Sequence, residues 1–139
     1  MAIKPITPIE RAIYLPVKAS TTINENSAVA ISGGYAIEVA AATEYGPGAV
    51  KGIAVAKADN SSGGDGAIDV LVVVPSPSQE FEADASADTA QTDVGTVIKF
   101  DAATVTVATL ATAGKVGFAP NKVIGAVSDR KYKGIFITA

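Results

Sequence analysis

Three acids, Glu80, Glu82 and Asp84, recur at every second position of the chain. Paired carboxylates carry out glycoside hydrolysis when they flank a cleft roughly 5–10 Å wide. Here they alternate with Phe81, Ala83 and Ala85, which is the pattern of a half-buried strand with a wet outer face. A second candidate is the run Asp59-Asn60-Ser61-Ser62-Gly63-Gly64-Asp65-Gly66, because backbone amides bind anions and clustered Asp oxygens bind hard cations. A phosphate loop leads from a strand into a helix N-terminus and carries a Lys-Ser/Thr pair, whereas this run leads into Ile68-Asp69-Val70-Leu71. A calcium loop opening at Asp59 would need Glu where Val70 stands. A mobile hairpin loop is the expectation. The hydroxyls of Ser32, Ser76 and Ser78 sit in no Gly-x-Ser-x-Gly elbow. No catalytic, cofactor-binding or metal-binding residue is assigned, and no cofactor is expected.

Composition points the same way. The chain of 139 residues has no His and no Cys, so the side chain most used for acid–base work near neutral pH and the thiolates of metal sites and disulfides are missing. The expectation is a protein that is not an enzyme and that folds by packing alone. Its length suits one domain, which buries roughly two-thirds of the unfolded surface. The apolar residues, 48% of the chain, are mostly Ala, Val and Ile, with four Phe and four Tyr. Small and β-branched side chains suit pleated sheets in thin layers. With charged residues at 18% and a net charge of −3, there is no electrostatic basis for binding nucleic acid or an anionic membrane surface. The longest apolar run, Ile68 to Pro75, is far short of the ~20 residues of a membrane helix. The start lacks the apolar stretch of a secretory signal, so synthesis in a cytoplasm is expected.

Prolines and glycines mark out the elements. Pro5 and Pro8 force extended geometry on the residues before them, and residues 1–13 read as an extended N-terminal arm. From Tyr14 the pattern becomes that of strands, with Pro16 at an edge. Ala28-Val29-Ala30-Ile31 and Tyr35-Ala36-Ile37-Glu38-Val39 form a hairpin through Ser32-Gly33-Gly34. Val50 to Ala58 and Ala67 to Val74 are further strands. The second part follows the same order. A strand begins at Glu80, a hairpin turns at Asp101-Ala102-Ala103, and Val123 to Asp129 and Tyr132 to Thr138 close the chain. The segment Ser78 to Gln91 has helix-forming residues, but its alternation argues for a strand and then a loop.

The expected fold is therefore all-β, a compact barrel or sandwich of two similar β-units within one domain at 14–139, with halves at about 14–75 and 79–139. Glu25 to Ala40 lies on Asp93 to Ala108 without gaps, and Lys51-Gly52-Ile53-Ala54-Val55 resembles Ile124-Gly125-Ala126-Val127. Three of the sixteen aligned positions are identical, all Val or Ala, so convergence of two ordinary β-meanders stands beside duplication.

Charge is uneven. Gln79 to Asp101 carries six acids against Lys99, while Pro120 to Ala139 carries Lys122, Arg130, Lys131 and Lys133 against Asp129. Acidic Glu80, Glu82 and Asp84 could meet Arg130, Lys131 and Lys133 of a neighbouring copy in a ring. Lysines protecting a sheet edge are the plainer explanation.

The chain resembles the small β-rich capsid decoration, or cement, proteins of tailed bacteriophages. The resemblance is carried by the arm Ala2 to Ile9, by Val50 to Ala56 leading to Ala67 to Val73, and by Val123 to Val127 leading to Gly134 to Ile137. It implies a virion protein on the capsid exterior, a homotrimer that binds the major capsid protein and stabilises contacts between its subunits. The arm residues Ile3, Lys4, Pro5, Ile6, Pro8, Ile9 and Arg11 are the candidates for capsid contact, since extended segments with apolar anchors add strands to a partner's sheet. A disordered tail would look the same in sequence. The alternative function is a carbohydrate-binding or host-surface adhesion module; against it, sugar platforms favour exposed aromatics, and only Tyr14, Tyr35, Tyr45 and Tyr132 stand beside the Phe residues. A lipoyl-type carrier would need a lysine at a hairpin tip, and Lys99 before Phe100-Asp101 does not fit.

Overall fold

The computed structural model describes residues 2–40 and 43–138; Met1, Ala41, Ala42 and Ala139, which include the outer ends of the expected arm and second half, lie outside the described residues. The chain is all-β. Its strands are β1 (Ile3–Pro5), β2 (Ala12–Pro16), β3 (Thr21–Ile23), β4 (Ala28–Ser32), β5 (Tyr35–Glu38), β6 (Val50–Ala54), β7 (Ala58–Asn60), β8 (Asp69–Val73), β9 (Phe81–Asp84), β10 (Ile98–Asp101), β11 (Thr104–Thr109), β12 (Val116–Ile124) and β13 (Lys131–Thr138). Two short 3-10 turns sit at Gln91–Asp93 and Val127–Asp129.

The strands form a six-stranded sheet in the order β1-β9-β13-β12-β10-β11, a five-stranded sheet in the order β2-β8-β6-β4-β5, and the small pair β3-β7. Within them the two halves share one plan. β2, β4, β5, β6 and β8 of the first half take the places that β9, β10, β11, β12 and β13 take in the second. Each half also joins its leading strand to its third by one parallel bridge, Val17 to Ala36 and Ala85 to Val105. Neither sheet closes into a barrel; they pack as a sandwich. Strand order and bridge thus agree between the halves.

The ladders correct the expected alignment of the halves. The first hairpin closes at Ser32 opposite Tyr35 and the second at Asp101 opposite Thr104, so Ser32 answers to Asp101 and the gapless alignment was one residue out. A one-residue slip reverses every side chain on a strand. Likewise Gly52 faces Val29 and Ala54 faces Val72, as Phe118 faces Ile98 and Pro120 faces Gly134. The partner of Gly52–Ala54 is thus Phe118–Pro120, not the Ile124 to Val127 motif.

The core explains the run Ala28-Val29-Ala30-Ile31. Ala28 and Ala30 join Ile53, Val73, Phe81, Ile98, Phe100, Phe118 and Tyr132 in the main core between the sheets. Val29 packs with Val17, Ala36, Ala54, Val70 and Val72 in a second core inside the first half, with Ile31 against it. A strand buried on both faces reads as continuous rather than alternating apolar sequence. The second half docks by its hairpin tip. Ala102, at φ +50°, receives the Ala28 N–H at 2.9 Å and donates to the Val39 carbonyl at 3.0 Å.

Two expectations change. The arm is not free of the body, because β1 is the edge strand of the six-stranded sheet, with Ile3, Lys4 and Pro5 opposite Ala83, Glu82 and Phe81 and with Ile3 wholly buried. The Ile6 N–H reaches the Glu80 carbonyl, and the Asp84 N–H reaches that of Ala2. Even-numbered residues therefore bond to β9, and the N–H that Pro5 lacks would have pointed away from it. The run after Asp59 is not a loose loop either. Asp59 and Asn60 belong to β7, and the buried Asn60 side chain donates to the carbonyls of Val17, Lys18 and Gly64 at 3.2, 3.0 and 2.9 Å. Asp65 accepts the Ala19 N–H at 2.8 Å, which pins the far side of the loop.

Candidate binding surface

The N-terminal segment leaves one sheet and enters the other. β1 belongs to the six-stranded sheet and β2 to the five-stranded one, so residues 6–11 strap the two layers together. Polar side chains fix the strap. Buried Gln79 donates to the Thr7 carbonyl at 3.1 Å and to its hydroxyl at 2.7 Å, and the Glu80 N–H donates to the same hydroxyl at 3.0 Å. The Glu10 carboxylate accepts hydrogen bonds from Ser76 and Ser78, each at 2.7 Å. Those two hydroxyls hold its pKa below the usual carboxylate value. The hydroxyls of Ser76 and Ser78 are thus structural.

The arm candidates separate by burial. Ile3 is core, Pro5 is half-buried, and Lys4, Ile6, Pro8, Ile9 and Arg11 are exposed. Ile6 at 45% and Ile9 at 50% exposure are large apolar side chains in water on a backbone that is tied down at both ends. Tyr14, on β2 just beyond them, is 70% exposed. The other tyrosines are not platforms, since Tyr132 is wholly buried and Tyr35 and Tyr45 are half-buried.

The charged candidates meet inside one chain. β9 and β13 are neighbours, with Lys131 opposite Asp84 and Lys133 opposite Glu82. Lys131 Nζ lies 3.0 Å from Asp84 and 3.4 Å from Glu82, and Lys133 Nζ lies 3.3 Å from Glu80. Arg130 pairs with Asp88 at 2.9 Å. Partial burial pushes the Asp84 carboxyl up, but Lys131 and the Ala2 N–H outweigh it and hold its pKa low. The same acids raise the Lys131 pKa. A ring between copies would have to compete with these contacts. Sequence gave both patches but not their adjacency, because pairing of β9 with the last strand is non-local.

At the junction of the halves lies an open groove of about 460 Å³, lined in part by Val50, Val74, Pro75, Val116, Phe136 and Ile137. It holds no carboxylate pair and only one lysine, Lys51. Among the described residues no group of three or more His, Cys, Asp or Glu is placed to hold a metal ion, and no helix is long and apolar enough to cross a membrane. Beneath the surface Tyr132 donates its hydroxyl hydrogen bond to Asp93. Burial, followed by that carboxylate, pushes the Tyr132 pKa up to about 12.

Sequence reasoning missed Thr7, Gln79 and Asn60. The only available signal was the presence of a Gln and an Asn inside otherwise apolar or small-residue surroundings. No family model matches the chain, and no curated protein matches it.

Proposed function

We propose that this chain is a structural virion protein that binds the outer surface of a tailed-phage capsid and stabilises contacts between neighbouring major capsid protein subunits. The observation that carries the reading is the strap of residues 6–11. It presents Ile6 and Ile9 to solvent while Gln79, Glu80 and the β1–β9 ladder hold its backbone. Apolar anchors on a pre-ordered segment bind at lower entropic cost than a free tail. Lys4 and Arg11 flank them and would meet acidic groups on the shell. The resemblance implies a homotrimer on the shell, and that assembly belongs to the proposal on the strength of the resemblance alone.

The adhesion reading draws on Tyr14 alone, and a single exposed aromatic makes a small sugar platform. The test is co-sedimentation with empty expanded capsids built from the major capsid protein of the same genome. Saturable binding by the wild type, lost in Ile6→Asp/Ile9→Asp with its folded spectrum intact, supports the proposal. Absence of binding, together with retention on a glycan array, replaces it by adhesion.

A further inference from the structure

β13 has a partner along one side for its whole length and along the other for only part of it. It pairs with β12 as far as Thr138 opposite Val116, but with β9 only from Lys131 to Gly134. The Ala85 N–H bonds the Arg130 carbonyl, so even-numbered residues of β13 turn their backbone groups towards β9 and odd-numbered ones towards β12. Phe136 comes next in that phase, where the line of β9 would bring Gln79. Gln79 has left the ladder, because its N–H bonds the Ser76 carbonyl in a turn and its side chain clasps Thr7. Among the described residues no strand stands opposite Phe136 and Thr138 on that side, and no turn or loop carbonyl takes their N–H groups. This bare edge is one wall of the groove between the halves. Phe136 and Ile137, whose side chains point to opposite faces of the sheet, both line it, and consecutive residues of a strand meet one cavity only along the strand's edge. The segment Val74 to Pro77 also lines the groove, and it offers no N–H at Pro75 or Pro77 and does not pair with β13. Among the described residues Lys51 is the only charged side chain lining the groove, and it forms no ion pair.

We propose that this slot receives one extended segment of the major capsid protein, which takes the place beside β13 that β9 vacates and sets an acidic side chain against Lys51. The inference rests on the reading of the chain as a shell-binding protein. The chemistry of the occupant follows from the slot itself. An unpaired strand edge takes an extended backbone, whose carbonyls and N–H groups meet the free groups of Phe136 and Thr138. Val50, Val74 and Val116 on the walls take an apolar side chain. A lysine among apolar walls takes a carboxylate, because the attraction between the two charges is stronger there than in open water. The shell as the source of the segment follows from continuity with the strap. Ser76 lines the slot and also donates to the Glu10 carboxylate of the strap at 2.7 Å, so the surface that carries Ile6 and Ile9 runs on into the slot.

The test is amide hydrogen exchange of the full chain, free and bound to empty expanded capsids, read in fragments that cover Ile135 to Thr138. Ile135 and Ile137 are already paired with β12 in the free chain, so Phe136 and Thr138 carry the change, and their exchange should slow by about tenfold or more on binding. Lys51→Glu, with its folded spectrum intact, should weaken capsid binding by about tenfold, whereas Lys51→Arg keeps the charge and should bind as the wild type does. The exchange of the wild type decides alone if Lys51→Glu does not fold. Capsid binding with unchanged exchange at Phe136 and Thr138, or binding by Lys51→Glu as tight as that of the wild type, overturns the inference and leaves the capsid reading standing. A wild type that does not bind capsids overturns both.

Discussion

Gln79 clasps Thr7 across 72 positions of sequence, donating from one buried amide nitrogen to both the carbonyl and the hydroxyl of that residue. The contact turns what reads as an arm into part of the body, and it places Ile3 in the main core beside Phe81 and Tyr132. Gln79→Ala should cost about 2–3 kcal/mol, since it strands buried partners as well as losing bonds. Removal of residues 2–7 also exposes the Ile3 site, and should cost about 4–6 kcal/mol and leave the chain largely unfolded. Urea unfolding measures both. A truncated chain with an unchanged transition would show that the segment is dispensable to the fold.

Asn60 is the second side chain on which local structure hangs. Its amide nitrogen is shared among the carbonyls of Val17, Lys18 and Gly64, the first of which also accepts the Gly66 N–H, and a Cβ at Gly63 would clash with its Oδ1. Asn60→Ala should lower stability by about 2–3 kcal/mol, and Asn60→Asp by at least as much, because a carboxylate offers no donor. Proteolysis between residues 61 and 66 should appear in either variant and not in the wild type. Equal resistance in all three would return the segment to a plain surface loop.

The Tyr132 phenol makes alkaline stability a readout of core packing. Its pKa stands at about 12 in the fold against an ordinary tyrosine value of 10.0, so the folded state holds the proton more tightly than the unfolded chain. The stability it contributes is complete below about pH 10 and is lost as pH rises towards about 12. Tyr132→Phe removes this term and leaves Asp93 without its phenol donor, costing about 1–2 kcal/mol at neutral pH. The gap between wild type and variant in unfolding free energy should narrow from about pH 9 to about pH 11. Parallel curves would contradict the assignment.

The ladder of Lys131 and Lys133 against Glu80, Glu82 and Asp84 should matter modestly, and within one chain. Lys131→Glu/Lys133→Glu sets like charges across β9 and β13 and should lower the urea midpoint only slightly, because solvent screens these pairs. Asp84 titrates below its ordinary value of 3.8. Its contribution is therefore present above that pH and is lost as pH falls through the lower folded value. Oligomer mass should not respond to the double reversal. A change in mass would restore the contact between copies.

Much of the fold was legible because local signals agreed with it. Gly33-Gly34 and Ala102-Ala103 marked the two hairpins, and alternation from Phe81 to Ala85 marked β9. Pairing between distant segments was not legible. Nothing in Ile3-Lys4-Pro5 says that Ala83 is its neighbour, and Pro5 reads as a breaker although on an edge strand its missing N–H costs no ladder bond. The charged patches were seen but not their adjacency, since composition does not say whether opposite charges meet within a chain or between chains. The repeat was seen too, but with a slipped register, because Val and Ala recur often enough to align one residue out.

The central claim is that this protein lies on the outside of a capsid shell and bridges its subunits. Cryo-electron microscopy of expanded capsids with and without the purified protein tests it most directly. Difference density is expected on the outer surface, spanning neighbouring subunits with the strap of Ile6 and Ile9 against the shell. Identical maps, or density only on the inner face, would contradict it.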